Sequence, residues 1–357
     1  MRCPYLIIDL NKIEKNARYI TSLCNKIGIE VVGVTKGCCG MPEVANAMLK
    51  GGVKFIGDSR LDNLKKIRSS GYKKELMLLR IPMESELKDV VEIADISLNS
   101  EISIIKKISD IAKDQGKIHK IILMIDLGEL REGILPKDTK DYIKQILKLD
   151  GVILSGIGTN LACFSGILPT YENMKELVDL KNELEDFFNI KISVVSGGNT
   201  SALKLIEDNN LPAGINQFRV GEVILTGTDV SGNRIVPGTY QDTFILVAQI
   251  IELKEKASLP IGKLGRDAFG NIPKFIDKGL IKRAILALGK QDVDIKGLTP
   301  LIDGVEIVGA SGDHLVLDVS KSSQEIKLNQ EIRFKLNYSA LLSACTSPYI
   351  TKIFIHN

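Results

Sequence analysis

A lysine ends a short β-branched run. Val31-Val-Gly-Val-Thr35 leads into Lys36, and Gly37-Cys-Cys-Gly40 follows. An amine at the C-terminal end of a buried strand can be desolvated. Partial neutrality is what Schiff-base and general-base lysines need. The same stretch also reads as a strand-end lysine in solvent. Ser196-Gly-Gly-Asn-Thr-Ser-Ala202 puts small and hydroxylic residues at a strand end that opens a helix. Such a turn can hold a phosphate through N–H donors, the helix dipole and hydroxyls; a plain helix N-cap accounts for the same residues. In Phe218-Arg-Val-Gly-Glu222, Gly221 permits close backbone approach, and Arg219 either faces a site or makes a structural ion pair. Asp126-Leu-Gly-Glu-Leu-Arg-Glu-Gly133 sets Glu129, Arg131 and Glu132 beyond another strand, or forms a solvated charged loop. Asn160, in Gly158-Thr-Asn-Leu-Ala-Cys163, stands at a further strand end.

These residues need elements to position them, and the chain supplies a regular alternation. Strand-like runs fall at Val31–Thr35, 53–57, 76–80, 96–99, 120–127, 152–159, 192–196 and 217–220, with helical periodicity between them. The runs are short and apolar, as strands buried on both faces should be. Eight βα repeats close a (β/α)8 TIM barrel; an open doubly wound sheet is the rival. In a barrel the C-terminal strand ends form the functional face, and phosphate sites favour the last two loops. Lys36, Asp58, Arg80, Asn99, Asp126, Asn160, Ser196 and Arg219 all fall on that face. From about residue 231 alternating strand patterns replace helical ones, which predicts an all-β domain over 231–357 after a barrel over 1–230.

Composition narrows the function classes. The 357 residues exceed one ordinary core. A net charge of +3 without a like-charge block argues against a nucleic-acid or anionic-membrane partner. No apolar run suggests a membrane span, and the acidic Asp9 interrupts any leader-like start. The six cysteines are scattered without metal-ligand spacing, so no metal site and reduced cytoplasmic thiols are expected.

Taken together and in order, the motifs resemble the alanine racemase fold, the barrel class of pyridoxal 5'-phosphate (PLP) enzymes. Val34-Thr-Lys-Gly37 is similar to that family's Schiff-base lysine motif. The segment 126–134 resembles the motif whose arginine, here Arg131, touches the PLP phenolic oxygen. Asn199-Thr-Ser-Ala202 resembles the phosphate turn, and Arg219-Val-Gly221 the motif whose arginine faces the pyridine nitrogen. Gly57-Asp-Ser-Arg60, Leu130–Ile134, Gly158–Cys163 and Gly309–His314 are most like the alanine/ornithine racemase branch. The resemblance implies cofactor contacts from Lys36, Arg131, Asn160, Asn199, Thr200, Ser201, Arg219, Gly221, Glu222 and Tyr349. Departures exist. Asn160 replaces the histidine beside the ring, Gly40 stands near a missing phosphate tyrosine, and Ser258–Gly265 offers no match for the catalytic tyrosine of the β domain.

The implied activity is racemisation of an amino acid, L- and D-ornithine first, with alanine or lysine as near alternatives. Lys36 then serves one face of Cα. Asp313 and His314 are the candidates for the other, since the resemblance brings that part of the β domain to a partner's site in a homodimer; a histidine's ordinary pKa suits the task. A β-turn histidine with a structural hydrogen bond is the other reading, with Asp267 and Tyr338 in reserve. A terminal substrate ammonium would want Glu129, Glu132, Glu222 or Asp313. Two other classes stay open: a non-catalytic PLP-homeostasis barrel, against which the β domain argues, and a PLP-free Schiff-base lyase.

Overall fold

A computed structural model describes residues 2–272 and 274–356. The chain divides into two compact units. One is a closed parallel barrel within Leu10–Gln241; the other joins the N-terminal strand to the residues from Asp242 onward. This differs from the expected boundaries, because the first strand, β1 (Tyr5–Asp9), pairs antiparallel with β12 (Phe244–Ala257) and parallel with β18 (Thr351–Ile355).

The barrel strands run in sequence order: β2 (Glu30–Val34), β3 (Phe55–Asp58), β4 (Leu76–Leu78), β5 (Ile96–Asn99), β6 (His119–Met124), β7 (Val152–Gly158), β8 (Val194–Ser196) and β9 (Gln217–Val220). Closure comes from β2 against β9, with Val32 opposite Arg219. Both strand faces are covered, which explains the near-continuous apolar runs. Val32, Phe55, Met77, Ile96, Leu98, Ile122 and Met124 pack into one buried cluster. Truncating such a side chain to alanine costs about 2–5 kcal/mol. Gly156 is required by close approach: a Cβ there would sit 2.4 Å from the Val194 carbonyl oxygen of the neighbouring strand.

The helices of this unit are α1 (Leu10–Asn25), α2 (Pro42–Lys50), α3 (Leu61–Ser69), α4 (Leu87–Ile93), α5 (Ile102–Asp114), α6 (Thr139–Ile146), α7 (Tyr171–Phe188), α8 (Leu203–Glu207) and α9 (Glu222–Thr226). In α1, Ile13, Ala17, Ile20 and Cys24 recur at helical spacing and are buried. Its buried Asn16 accepts from Tyr240 N at 2.7 Å and donates to the Ile224 and Tyr240 carbonyls at 3.2 and 2.9 Å. That side chain moors α9, which carries Glu222. A short hairpin, β10 (Thr228–Asp229) with β11 (Arg234–Ile235), follows α9.

The second unit is one eight-stranded sheet. Besides β1, β12 and β18 it contains β13 (Leu280–Ala287), β14 (Leu298–Pro300), β15 (Glu306–Ala310), β16 (His314–Asp318) and β17 (Glu331–Leu336), in the order β14-β17-β12-β13-β16-β15. The 14-residue β12 spans it, pairing with β17 early and β13 late, with a bulge between Ile250 and Glu252. The unit is not wholly β: α10 (Tyr338–Thr346) caps it, with Asn337 Oδ1 accepting from Ala340 N at 2.9 Å. Among the described residues no helix is long and apolar enough to cross a membrane.

Candidate active site

The barrel mouth gathers most of the anticipated residues. Lys36 opens a single 3-10 turn, Lys36–Cys38, directly after β2. Beneath it, Thr35 Oγ1 donates to Asp58 Oδ2 at 2.7 Å, while Asp58 Oδ1 accepts from Arg60 N at 2.9 Å and Asn63 Nδ2 at 3.0 Å. Gly40, at φ +61°, lies so close to Asn63 that a Cβ would meet its Cβ at 2.5 Å. The lysine turn is therefore keyed onto the start of α3. Lys36 itself is exposed, not desolvated, because this turn lifts it clear of the apolar strand interior.

Across the mouth, Arg219 is buried at 5% exposure on β9. Its guanidinium donates to the Ser196 hydroxyl, to Ser196 O at 3.4 Å and to Thr159 O at 2.6 Å. Burial pushes its pKa down to about 10, with the Glu132 charge opposing, so it stays cationic near neutrality. No carboxylate pairs with it directly; the expected structural ion pair is absent among the described residues.

The two turns anticipated for phosphate stand side by side. Val223 N donates to the buried Thr200 hydroxyl at 3.4 Å. Gly221 allows this approach, since a Cβ would meet the Val34 carbonyl oxygen at 2.8 Å, so α9 begins against the end of β2. The Asn199 side chain faces inward: Oδ1 accepts from Ser201 N at 2.9 Å and Ser201 Oγ at 2.8 Å, and Nδ2 donates to Leu161 O at 2.9 Å and Asn160 Oδ1 at 3.2 Å. Asn199 shapes the turn, and its side chain is committed to protein partners. Ser201's hydroxyl is spent on it as well.

The charged loop after β6 differs from the sequence reading. Glu129 is 2% exposed. Its carboxylate accepts backbone N–H groups from Ala162 at 3.2 Å, Cys163 at 2.6 Å, Ser165 at 3.1 Å, Ile167 at 3.3 Å and also Phe164. Burial raises its pKa, but these donors prevail and hold it below the ordinary carboxylate value. Glu129 thus folds the loop after β7 and is removed from the candidates for a substrate ammonium. Arg131 is occupied by Glu132, Nη2 to Oε1 at 2.6 Å. Glu222 lies at the start of α9. Its Oε1 accepts from Val230 N at 2.7 Å and Thr228 Oγ1 at 3.1 Å. Burial pushes its pKa up to about 7, against those two donors and the nearby Lys36 charge.

Asp313, His314 and Tyr349 belong to the other unit and are exposed. Asp313 accepts from the Gln291 amide, and the Ser311 and His314 backbones close a turn, Ser311 N to His314 O at 2.9 Å. Asp267 is used in its own turn, accepting from Phe269 N at 2.9 Å and Asn271 N at 2.8 Å. The sequence put Asp58, Thr159 and Ser196 at strand ends of the functional face without assigning their roles: Asp58 holds Thr35 beneath Lys36, and Ser196 and the Thr159 carbonyl hold Arg219. Nothing in their local spacing signals those partnerships.

Residues 8–229 match the family described as alanine racemase, N-terminal domain. The chain belongs to the alanine racemase family. It is an amino-acid racemase of this PLP-dependent family. It is similar to an ornithine racemase of Acetoanaerobium sticklandii, 46% identical over 98% of this chain and 99% of that one. It is also similar to a lysine racemase of Thermotoga maritima, 42% identical over 98% of each. A solved alanine racemase of Clostridium difficile in complex with cycloserine shares the fold, with TM-score 0.76 at 19% identity over 100% of this chain and 96% of that chain.

The barrel mouth fits PLP on its own chemistry. Thr159 Oγ1 and Asn160 Nδ2 are buried polar atoms without a partner among the described residues. They flank the Arg219 guanidinium and the Asn199 turn. Buried polar groups left unmatched cost about 1–3 kcal/mol each, so a polar ligand there has ready partners.

Proposed function

We propose that the chain racemises ornithine, with lysine as the near alternative, on PLP held at the barrel mouth. The observation that carries this is the placement of Lys36, Thr200, Arg219 and Glu222 around one mouth, in a chain similar over nearly its whole length to racemases of both amino acids. When bound, PLP withdraws electrons from Cα and lowers the barrier to removing its proton.

The residues then take distinct tasks. Lys36 would hold the cofactor covalently when no substrate is bound and, as the free amine once substrate has replaced it, would move a proton on one face of Cα. The turns at 199–202 and 221–223 receive the phosphate, with the Thr200 hydroxyl between them. Arg219 faces the ring nitrogen. Still cationic near neutral pH, it could only donate there and would favour an unprotonated ring nitrogen. That restrains delocalisation and disfavours transamination. Arg131 would reach the phenolic oxygen, and Asn160 would lie beside the ring. Racemisation also needs an acid on the opposite Cα face, because a single base returns its proton where it found it. We assign this to His314 with Asp313, from a second copy of the chain in a homodimer.

The test is borohydride reduction followed by peptide mapping, together with Cα deuterium exchange on single enantiomers of ornithine, lysine and alanine. A pyridoxyl adduct on Lys36 and exchange from both ornithine enantiomers are expected. Unmodified Lys36 would sink the assignment. Lys36→Ala should lower turnover by roughly 10³-fold or more.

A further inference from the structure

We infer that Glu222 is the specificity residue that receives the terminal ammonium of the diamino-acid substrate. This rests on the proposed activity and deepens it. A terminal ammonium brought into a partly buried mouth needs a carboxylate, since an unpaired charge there is costly.

The carboxylates of the barrel unit's mouth can be taken in turn. Glu129 is saturated by backbone N–H groups. Glu132 is paired with Arg131. Asp58 is 0% exposed and bound to Thr35, Arg60 N and Asn63. Asp126 caps its own loop, accepting from Gly128 N at 2.9 Å and Leu130 N at 3.1 Å. Asp229 is paired with Arg234 at 3.1 Å. Glu222 differs. No lysine or arginine forms an ion pair with it among the described residues. Among the described residues, both of its side-chain hydrogen bonds, from Thr228 and Val230, fall on Oε1 and leave Oε2 without a partner.

Its placement suits the task. Gly221 seats the start of α9 against Val34 at the end of β2, two residues before the turn that Lys36 opens. A side chain projecting from Cα toward α9 therefore runs toward a half-buried carboxylate whose rotamer is already held. The same two donors can be satisfied by a glutamine carbonyl. Glu222→Gln thus removes the charge and keeps the internal staples.

The experiment compares the PLP-loaded wild type with Glu222→Gln on ornithine and on 2-aminopentanoate, which has the same carbon chain without the terminal amine. The expected result is a fall of about tenfold or more in the ratio of kcat/KM for ornithine to that for 2-aminopentanoate, arising mainly in KM. Calorimetry should show ornithine binding weakened by a similar factor, and Glu222→Asp should restore part of the preference. An unchanged ratio, or equal losses on both amino acids, overturns the inference and leaves Glu222 as a brace for residues 228–230. A wild type that racemises neither ornithine nor lysine overturns the proposed activity, and this inference with it. A wild type active on ornithine whose preference survives Glu222→Gln overturns only this inference.

Discussion

Glu129 and Glu222 are both carboxylates at the barrel mouth, one in the loop after β6 and one at the start of α9. Their surroundings are opposed. Around Glu129 the chain has aimed a nest of backbone N–H groups, and the carboxylate is held charged. Around Glu222, among the described residues, only Val230 N and Thr228 donate, and burial dominates. The same contrast extends to the neighbours. Near β7 and β9, the Thr159 hydroxyl and Asn160 Nδ2 are buried without a partner among the described residues. Saturated polar groups build the mouth, whereas unsaturated ones are available to a ligand.

The comparison can be broken most strongly at Glu129. Glu129→Ala should unfold the 162–167 loop locally and lower global stability by about 2–4 kcal/mol, read from urea unfolding. A cost near zero would mean the nest is not structural. The lowered pKa gives its sign: Glu129 stabilises the fold above the ordinary carboxylate pKa, and that contribution is lost as pH falls through the folded value.

Glu222 should behave in the opposite sense and more weakly. Its pKa is raised, so its protonated form is the better tolerated one. Stability from this group is full below the ordinary carboxylate pKa and is lost as pH rises through about 7. Glu222→Gln should flatten that slope and leave the variant more stable than the wild type at pH 8 by about 1–2 kcal/mol. Matching unfolding curves at pH 5 and pH 8 in the wild type would contradict it. The smallest effect is expected at Thr35→Val, which removes the 2.7 Å bond to Asp58 and should cost about 0.5–1.5 kcal/mol. A retained melting temperature there would show that the lysine turn does not depend on Asp58.

The barrel could be read from the chain because its strands are buried on both faces and its helices on one. That difference survives as continuous apolar runs alternating with amphipathic periods. The ends of β2, β7, β8 and β9 fell where those patterns stopped. The role of Tyr5–Asp9 was not legible: five residues of strand look alike whether they start a barrel or join a distant sheet, and pairing with β12 and β18 is a long-range choice. Helix α10 was missed because the residues before it alternate as strands do.

Within the site, the residue types and their order around the mouth were determined by the sequence alone: a lysine after the first barrel strand, a hydroxyl turn before the last, and an arginine and glycine on the last. Which polar groups are spent and which are free was decided only by the tertiary structure. Glu129 meets loop N–H groups more than 30 residues away in the chain, as with Ala162 at a separation of 33. Asn199 turns inward to Leu161, and Arg219 rests on Thr159. Hydrogen-bond saturation depends on distances of a few ångströms between segments remote in sequence, and local spacing carries no record of them.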